Sequence, residues 1–398
     1  MASLIVLLFI VACAVYLYLK STLAKAFATV IITICASVVA FAYFEYLANI
    51  IISSGEKGQL ARLVPWAHAI SFVLLFILPF AVMQSLLNRL SKEKVNLGFL
   101  PERIGRIVCG IFWGMLLSGL LITVLMFAPI PSSYPYERLP KSNPDPENPN
   151  KTLLNADGFA TGWFGLLSRG SFSGERSFTA LHPAFLNQAY LNRYKISQHV
   201  SAAIPGSRKP IQVPKPAVWP APKGLKLTTG QAVPPKSQAT LNIVRVGMDR
   251  AIVRESGTFS LSQLRIICTN RTDIDKPLAG RAVTVYPAGY MMTEQELERT
   301  ELGSIIDLAL EDFEGSVKWI DFAFYVPDNT VPILLEFKQT SIFELTPPVT
   351  DEVPIIVPFV LSQAEDAEQD EDSETDESTE TDESAELDES AETDEETE

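Results

Sequence analysis

Three histidines, four cysteines and two ionisable side chains inside apolar sequence are the residues with which this chain of 398 could do chemistry. His68, His182 and His199 are far apart, and none stands in a His-x-x-x-His or Glu-His arrangement. A zinc hydrolase of that type and a base set beside a nucleophile are therefore not expected. Cys13, Cys35 and Cys109 lie in apolar runs and Cys268 stands alone, so neither a disulfide framework nor a Cys-x-x-Cys metal site is expected. Gly170-Ser171-Phe172-Ser173-Gly174 has the outline of a serine-hydrolase elbow, but that motif needs serine at its centre. The segment reads instead as a turn. The acidic C-terminus lacks the glycine and spaced ligands of a calcium loop. The expectation is a protein with no catalytic, metal or cofactor site, and not an enzyme. Glu45 and His68 remain, because ionisable residues in apolar runs are candidates for function. Both fall near the same end of their runs, where they are expected to meet water at an interface rather than form an ion path.

The elements that must position these residues are strongly segregated. Residues 4–19, 26–52, 66–87 and 107–130 are apolar runs, and a helix needs ~20 such residues to cross a bilayer. The first run is short, but Met1-Ala2-Ser3 carries no Lys or Arg, which argues against a cleaved signal peptide. Ile10-Val11-Ala12-Cys13 has the look of a lipoprotein cleavage box, yet the run continues past it, and Cys13 reads as a membrane-facing or packing residue. The loop before the fourth run holds Arg89, Lys92, Lys94, Arg103 and Arg106, against two bases in each earlier loop. It is expected inside, which puts everything after Pro131 outside. In the fourth run Gly110, Gly114 and Ser118 recur every four residues, a stripe that lets another helix approach closely. The partner helix, from this chain or a second copy, is not fixed by the stripe. Pro79 is expected to kink the third helix.

Two segments of this first third resemble a known family. Trp66-Ala67-His68-Ala69-Ile70-Ser71-Phe72-Val73-Leu74-Leu75-Phe76, and the basic, glycine-spaced Arg103-Ile104-Gly105-Arg106-Ile107-Val108-Cys109-Gly110-Ile111-Phe112-Trp113-Gly114, are similar to the bacterial colicin V production protein (CvpA) family. The first loop, Lys20-Ser21-Thr22-Leu23-Ala24-Lys25, departs from the family's glycine-containing pattern. The resemblance implies a multi-pass inner-membrane protein concerned with envelope maintenance, export or toxin production. It carries over no site residue and implies nothing about residues 131–398.

Beyond the apolar third, seven prolines between Pro129 and Pro149 predict an extended stalk over 131–154. In 155–204 an amphipathic helical segment is expected, with Asp157 as N-cap and Phe159, Trp163, Leu166 and Leu167 on one face. A second helix follows Pro183. This pair lies either on the membrane surface and helix bundle or on the later strands; both readings stand. Residues 205–236 read as a second proline-rich linker. From 237 to 350 the period is two, as in Ile320, Phe322, Phe324 and Val326, which predicts a β-sandwich-like domain of antiparallel strands. Thr293 and Glu296 have capping-box spacing, so 293–303 is expected as a helical insertion. Residues 351–398 read as an acidic disordered tail. From Leu361 onward 20 acids meet no base, leaving 27 acids against 32 bases in the rest. The predicted fold class is thus a membrane α-helical bundle of four transmembrane helices, an extracytoplasmic helical segment, a β-sandwich-like domain and a disordered acidic tail. The expected partners are the lipid bilayer, a membrane or envelope protein met through the β module, and a second copy; nucleic acid is not expected. The alternative function is a channel- or transporter-like oligomer assembled through helix four.

Overall fold

The computed structural model describes residues 2–55, 58, 61–90, 99–140, 144–169, 175–193, 210–255, 257–349 and 353–359. The Gly170–Gly174 turn, His199, Lys57, Lys92, Lys94, residues 205–209 and the acidic repeats fall outside the described residues.

The apolar runs form four helices, α1 (Ala2–Lys20), α2 (Leu23–Gly55), α3 (Ala67–Leu90) and α4 (Phe99–Phe127). All four are long and apolar enough to cross a membrane. Each extends past the apolar run that predicted it, and Arg103 and Arg106, counted as loop residues from the sequence, lie in the first turns of α4. There Arg106 pairs with Glu102 and donates from Nη1 to the Tyr18 carbonyl near the end of α1, at 3.3 Å. A charged side chain thus satisfies a carbonyl that α1 leaves free at its last turn. Pro79 lies inside α3. The outward sides of these helices carry exposed apolar residues such as Leu8, Ile31, Leu78 and Ile104.

The expected stalk is not a free spacer. Leu139 is fully buried with Tyr190 and Leu191, and Arg138 is buried as well. The helices that follow are α5 (Ala156–Arg169), α6 (Phe178–Leu181) and α7 (Phe185–Asn192), and the described parts of this segment, residues 131–140 and 144–152, fold back against α5 and α7. Asp157 is not an N-cap: it is the second residue of α5, wholly buried, with its carboxylate used in tertiary contacts. Helix α5 packs on α4 and α2, while α6 and α7 also touch the strands, so the two readings of this segment are both realised in part.

The strand-rich region has three sheets. In the largest, β1 (Ile211–Gln212), β4 (Ala239–Asp249), β11 (Val317–Pro327), β8 (Gly289–Met291), β9 (Glu296–Arg299) and β3 (Lys226–Leu227) follow in that order, and β2 (Val218–Pro220) also pairs β4. In the second the order is β13 (Ser341–Glu344), β12 (Thr330–Phe337), β6 (Leu264–Asn270) and β7 (Ala282–Val285). A third pairs β5 (Thr258–Ser260) with β10 (Ile305–Asp307). All pairs are antiparallel except β3 with β9. One hydrophobic core takes Val244, Val246, Phe322 and Phe324 from the first sheet and Leu264, Ile266, Leu335 and Phe337 from the second.

Three expectations are corrected here. The linker at 205–236 contributes β1, β2 and β3, and Ala217, Val218 and Trp219 in it are fully buried. Of its described prolines, Pro220 ends the short strand β2 and the others lie outside the strands, where a missing N–H costs no ladder bond. The helical insertion at 293–303 is instead a turn and strand β9, because Leu297 fills a core with Met291 and Ala323. The tail does not begin at 351: Phe359 is fully buried, Ile356 is buried, and Val357 N–H donates to Asp321 Oδ2 at 2.9 Å. That segment and Trp219 cover the second face of β11, which is why Asp321 and Ala323 are buried beside the alternating apolar residues.

Candidate functional site

The helix stripe singled out in the sequence meets α1. A Cβ on Gly110 would lie 2.5 Å from Ala14 Cα, and one on Gly114 would lie 2.6 Å from Ile10 Cα. Ser118 is buried and its hydroxyl donates to the Met115 carbonyl of its own helix. These residues let α1 and α4 of one chain approach closely, and they hold no chemistry.

The chemistry gathers elsewhere, where the helices meet the strands. Ser177 caps α6, accepting from Ala180 N–H at 3.1 Å, and its own N–H donates to the Leu278 carbonyl between β6 and β7. That anchoring fixes His182, one residue past the end of α6. The imidazole rests against an aromatic cluster, with ring centroids 5.0 Å from Phe178 and 5.6 Å from Phe185. The same cluster continues into the helices, where Phe41 stacks on Phe164 at 4.7 Å and Phe44 on Phe127 at 5.0 Å.

Around His182 five polar side chains converge from five elements. His182 Nε2 is 3.1 Å from Glu45 Oε1 of α2. That oxygen is buried with no well-aligned hydrogen bond, so the contact is chiefly electrostatic. His182 Nδ1 is 2.9 Å from Gln188 Oε1 of α7. Gln188 Nε2 donates to Glu336 Oε1 of β12. Arg265 of β6 donates to Glu336 Oε2 at 2.6 Å, to the Leu181 carbonyl at 3.1 Å and to Thr284 Oγ1 of β7 at 3.1 Å. His68 of α3 is buried at 2 % exposure, its ring centroid 5.8 Å from that of Phe44 and 5.9 Å from that of Phe127.

The protons follow from this geometry. The Glu336 carboxylate accepts only, so the Gln188 amide turns its nitrogen toward it and its carbonyl toward His182. A carbonyl facing Nδ1 requires a proton there. With a carboxylate facing Nε2 as well, the imidazolium is the form that satisfies both sides. Burial opposes that charge, but Glu45, with help from Glu336, outweighs burial and raises the His182 pKa above its ordinary value. The charges then balance: Glu45 and Glu336 against Arg265 and His182. What such a group does chemically is gain and lose one proton in a closed network that joins helices to strands.

Sequence reading placed Glu45 and His68 at a wetted interface; the Glu45 side chain does keep 27 % exposure, whereas His68 is buried. It also treated the histidines as scattered and unpaired with any Glu, whereas folding brings His182 to the Glu45 carboxylate. No local signal marks this, because Gln188, Arg265 and Glu336 are ordinary residues in their own segments. Among the described residues no three His, Cys, Asp or Glu side chains are placed to hold a metal ion.

A second buried network ties the returning chain to α5. Asp157 accepts from Thr152 Oγ1 at 2.6 Å, from the Tyr136 hydroxyl and from Arg138 Nη1 at 3.2 Å. Arg138 Nε donates to Asn187 Oδ1 at 2.7 Å. Arg193 closes the end of α4, donating to the carbonyls of Leu125 at 3.0 Å and Tyr134. No family model, curated protein or solved structure matches the chain.

Proposed function

We propose that this is a multi-pass inner-membrane protein, similar to the colicin V production family, that serves envelope maintenance, export or toxin production without catalysing a reaction. In this reading four transmembrane helices hold a β-sandwich-like module on the outer face of the membrane, where it meets an envelope or membrane partner. The observation that carries the reading is the network around His182. It joins Glu45 of α2, through His182 and Gln188, to Glu336 and Arg265 of the strands, so the module is fastened to the helices rather than tethered by a linker. A fastened module transmits a load or a change of state between the membrane and the space outside, which a flexible tether does not.

The test is topological. A reporter fused after residue 350 is expected to be active only when it requires the extracytoplasmic compartment, as the basic residues Arg89, Arg103 and Arg106 at the other end of the helices imply. Activity of a cytoplasm-only reporter at that position overturns the reading.

A further inference from the structure

Helix α5 has one side buried in the protein and another that nothing covers. Asp157, Ala160, Phe164 and Ser168 face inward, while Phe159 and Trp163 are half-buried and Leu166 is 59 % exposed. Just before the helix, Leu153 and Leu154 are exposed too. Leu154 has φ of 55°, a left-handed conformation unfavourable for leucine. The uncovered stripe is apolar, as on a helix lying in a membrane interface.

The height of α5 follows from its contacts. A Cβ on Gly119 would strike the Ala156 carbonyl and the Ala160 side chain, so α5 crosses α4 at that level. At ~1.5 Å per residue this is about 12 Å short of the end of α4. Helix α1 runs antiparallel to α4, with Gly110 against Ala14 and Gly114 against Ile10, so the Gly119 level meets α1 near Val6. On α1 this level is flanked by Leu4, Leu7 and Leu8, all exposed, and the turn Leu153–Asn155 touches α1. Phe164 stacking on Phe41 of α2 keeps the far end of α5 at a similar height, so the helix lies across the bundle. Exposed Tyr43, Tyr46 and Trp66 stand at or above this level on α2 and before α3, as aromatic side chains do at a lipid headgroup boundary. Thr161 Oγ1 donates to the Asp157 carbonyl and Arg169 Nε to the Gly165 carbonyl, while Trp163 Nε1 is buried without a partner and the charged end of Arg169 is exposed at the last turn.

We propose that α5, with the Leu153–Leu154 turn, lies in the outer leaflet as an in-plane helix whose Phe159, Trp163 and Leu166 stripe contacts phospholipid acyl chains. The lipid-facing surface of α1 continues directly into this stripe, which favours lipid over a second protein as its cover. On this view, the chain re-enters the membrane after α4 before rising to the strands, and the proposal rests on the membrane reading given above.

The test uses the full chain with its four cysteines replaced, carrying one cysteine at a time through Leu8→Cys, Leu166→Cys or Glu314→Cys. Each is nitroxide-labelled and reconstituted in phosphatidylcholine–phosphatidylglycerol vesicles. Collisions with molecular oxygen and with a water-soluble nickel chelate are then compared. The expected result is that the label at 166 is open to oxygen and several-fold more protected from nickel than the label at 314, as the label at 8 is. Nickel access at 166 with protection at 8 overturns the proposal and leaves the membrane reading standing; nickel access at both sinks the two together. Protection at 166 from both reagents means that a second copy or another protein covers the stripe, which also overturns it. Leu154→Cys, at the other end of the stripe, provides the same readout if the Leu166 variant does not fold.

Discussion

Two buried carboxylates in this molecule sit in contrasting surroundings. Asp321, inside the strand-rich region, is held by a two-pronged pairing with Arg245 at 2.7 Å on each oxygen, and by Val357 N–H. Arg245 in turn lies over the Trp219 ring at 5.1 Å and donates to the Ile355 carbonyl. The pairing, with the Ile355 and Val357 backbone bonds, clamps the segment 353–359 against the sheet. Glu336, at the junction, shares its carboxylate between Arg265 and Gln188, and through Gln188 it is joined to a histidine. The difference is that the Asp321 pairing lies within the strands, whereas the contact between strands and helices includes a histidine on which Glu45 outweighs burial and raises the pKa above its ordinary value.

The sharpest break of this comparison is at Glu336. Glu336→Gln leaves the Arg265 guanidinium buried with its charge uncompensated, and removing one partner of a buried pair costs about 3–5 kcal/mol. Thermal unfolding of the full chain in detergent is expected to fall by that equivalent; an unchanged midpoint would mean that water reaches Arg265. The clamp at Asp321 comes next. Truncation after residue 352 removes Phe359, a fully buried ring whose exposure alone costs about 1.5–3 kcal/mol. Truncation after residue 361, which deletes 20 acids and no base, is expected to leave the melt unchanged while moving the net charge from −15 to +5. Equal melting of both truncated chains would show that the clamp adds nothing.

A smaller effect is expected in the helices. Gly114→Leu pushes α1 away from α4, with a loss of about 1–2 kcal/mol as for other membrane-helix contacts. An unaltered melt would show that α1 moves aside freely. The finest distinction is in pH. Because the His182 pKa is raised by folding, its contribution is fully present below the unfolded value near ~6.5 and is lost as the pH rises through the folded value. A tenfold tighter hold on the proton in the folded protein corresponds to ~1.4 kcal/mol. His182→Gln is expected to flatten stability across that window, whereas Arg245→Gln leaves the slope as it was. A wild-type melt that does not decline with rising pH there would remove the proton from the junction.

Much of the fold was legible because its signals are local. Runs of apolar residues announce α1 to α4, and the period of two in Ile320, Phe322, Phe324 and Val326 announces β11. Phe185, Leu186, Ala189 and Tyr190 mark α7. Where reading failed, a local signal had two outcomes. Thr293 and Glu296 look like a helix cap, and they do interact, Thr293 Oγ1 donating to Glu296 Oε2 at 3.4 Å. Here that contact closes a turn, because pairing of β9 with β8 and burial of Leu297 outweigh helix propensity. Prolines likewise marked 205–236 as a linker, although its short strands form between the prolines, with Pro220 ending β2.

By itself the sequence determined where the long helices α1 to α4 and strongly alternating strands such as β11 form, since those depend on side-chain pattern along a few consecutive turns or pleats. It also determined that the charge is divided between an acidic C-terminus and a slightly basic remainder. Only the tertiary structure decided what the ionisable residues do. Glu45, His182, Gln188, Arg265 and Glu336 are distant in the chain, and each in its own segment reads as a surface group. They become one network because the aromatic cluster of Phe41, Phe44, Phe127, Phe178 and Phe185 packs α2 and α4 against the α6–α7 segment, which itself meets the strands. Once water is excluded there, each charge needs a partner, and the fold supplies it from elements that share no local pattern.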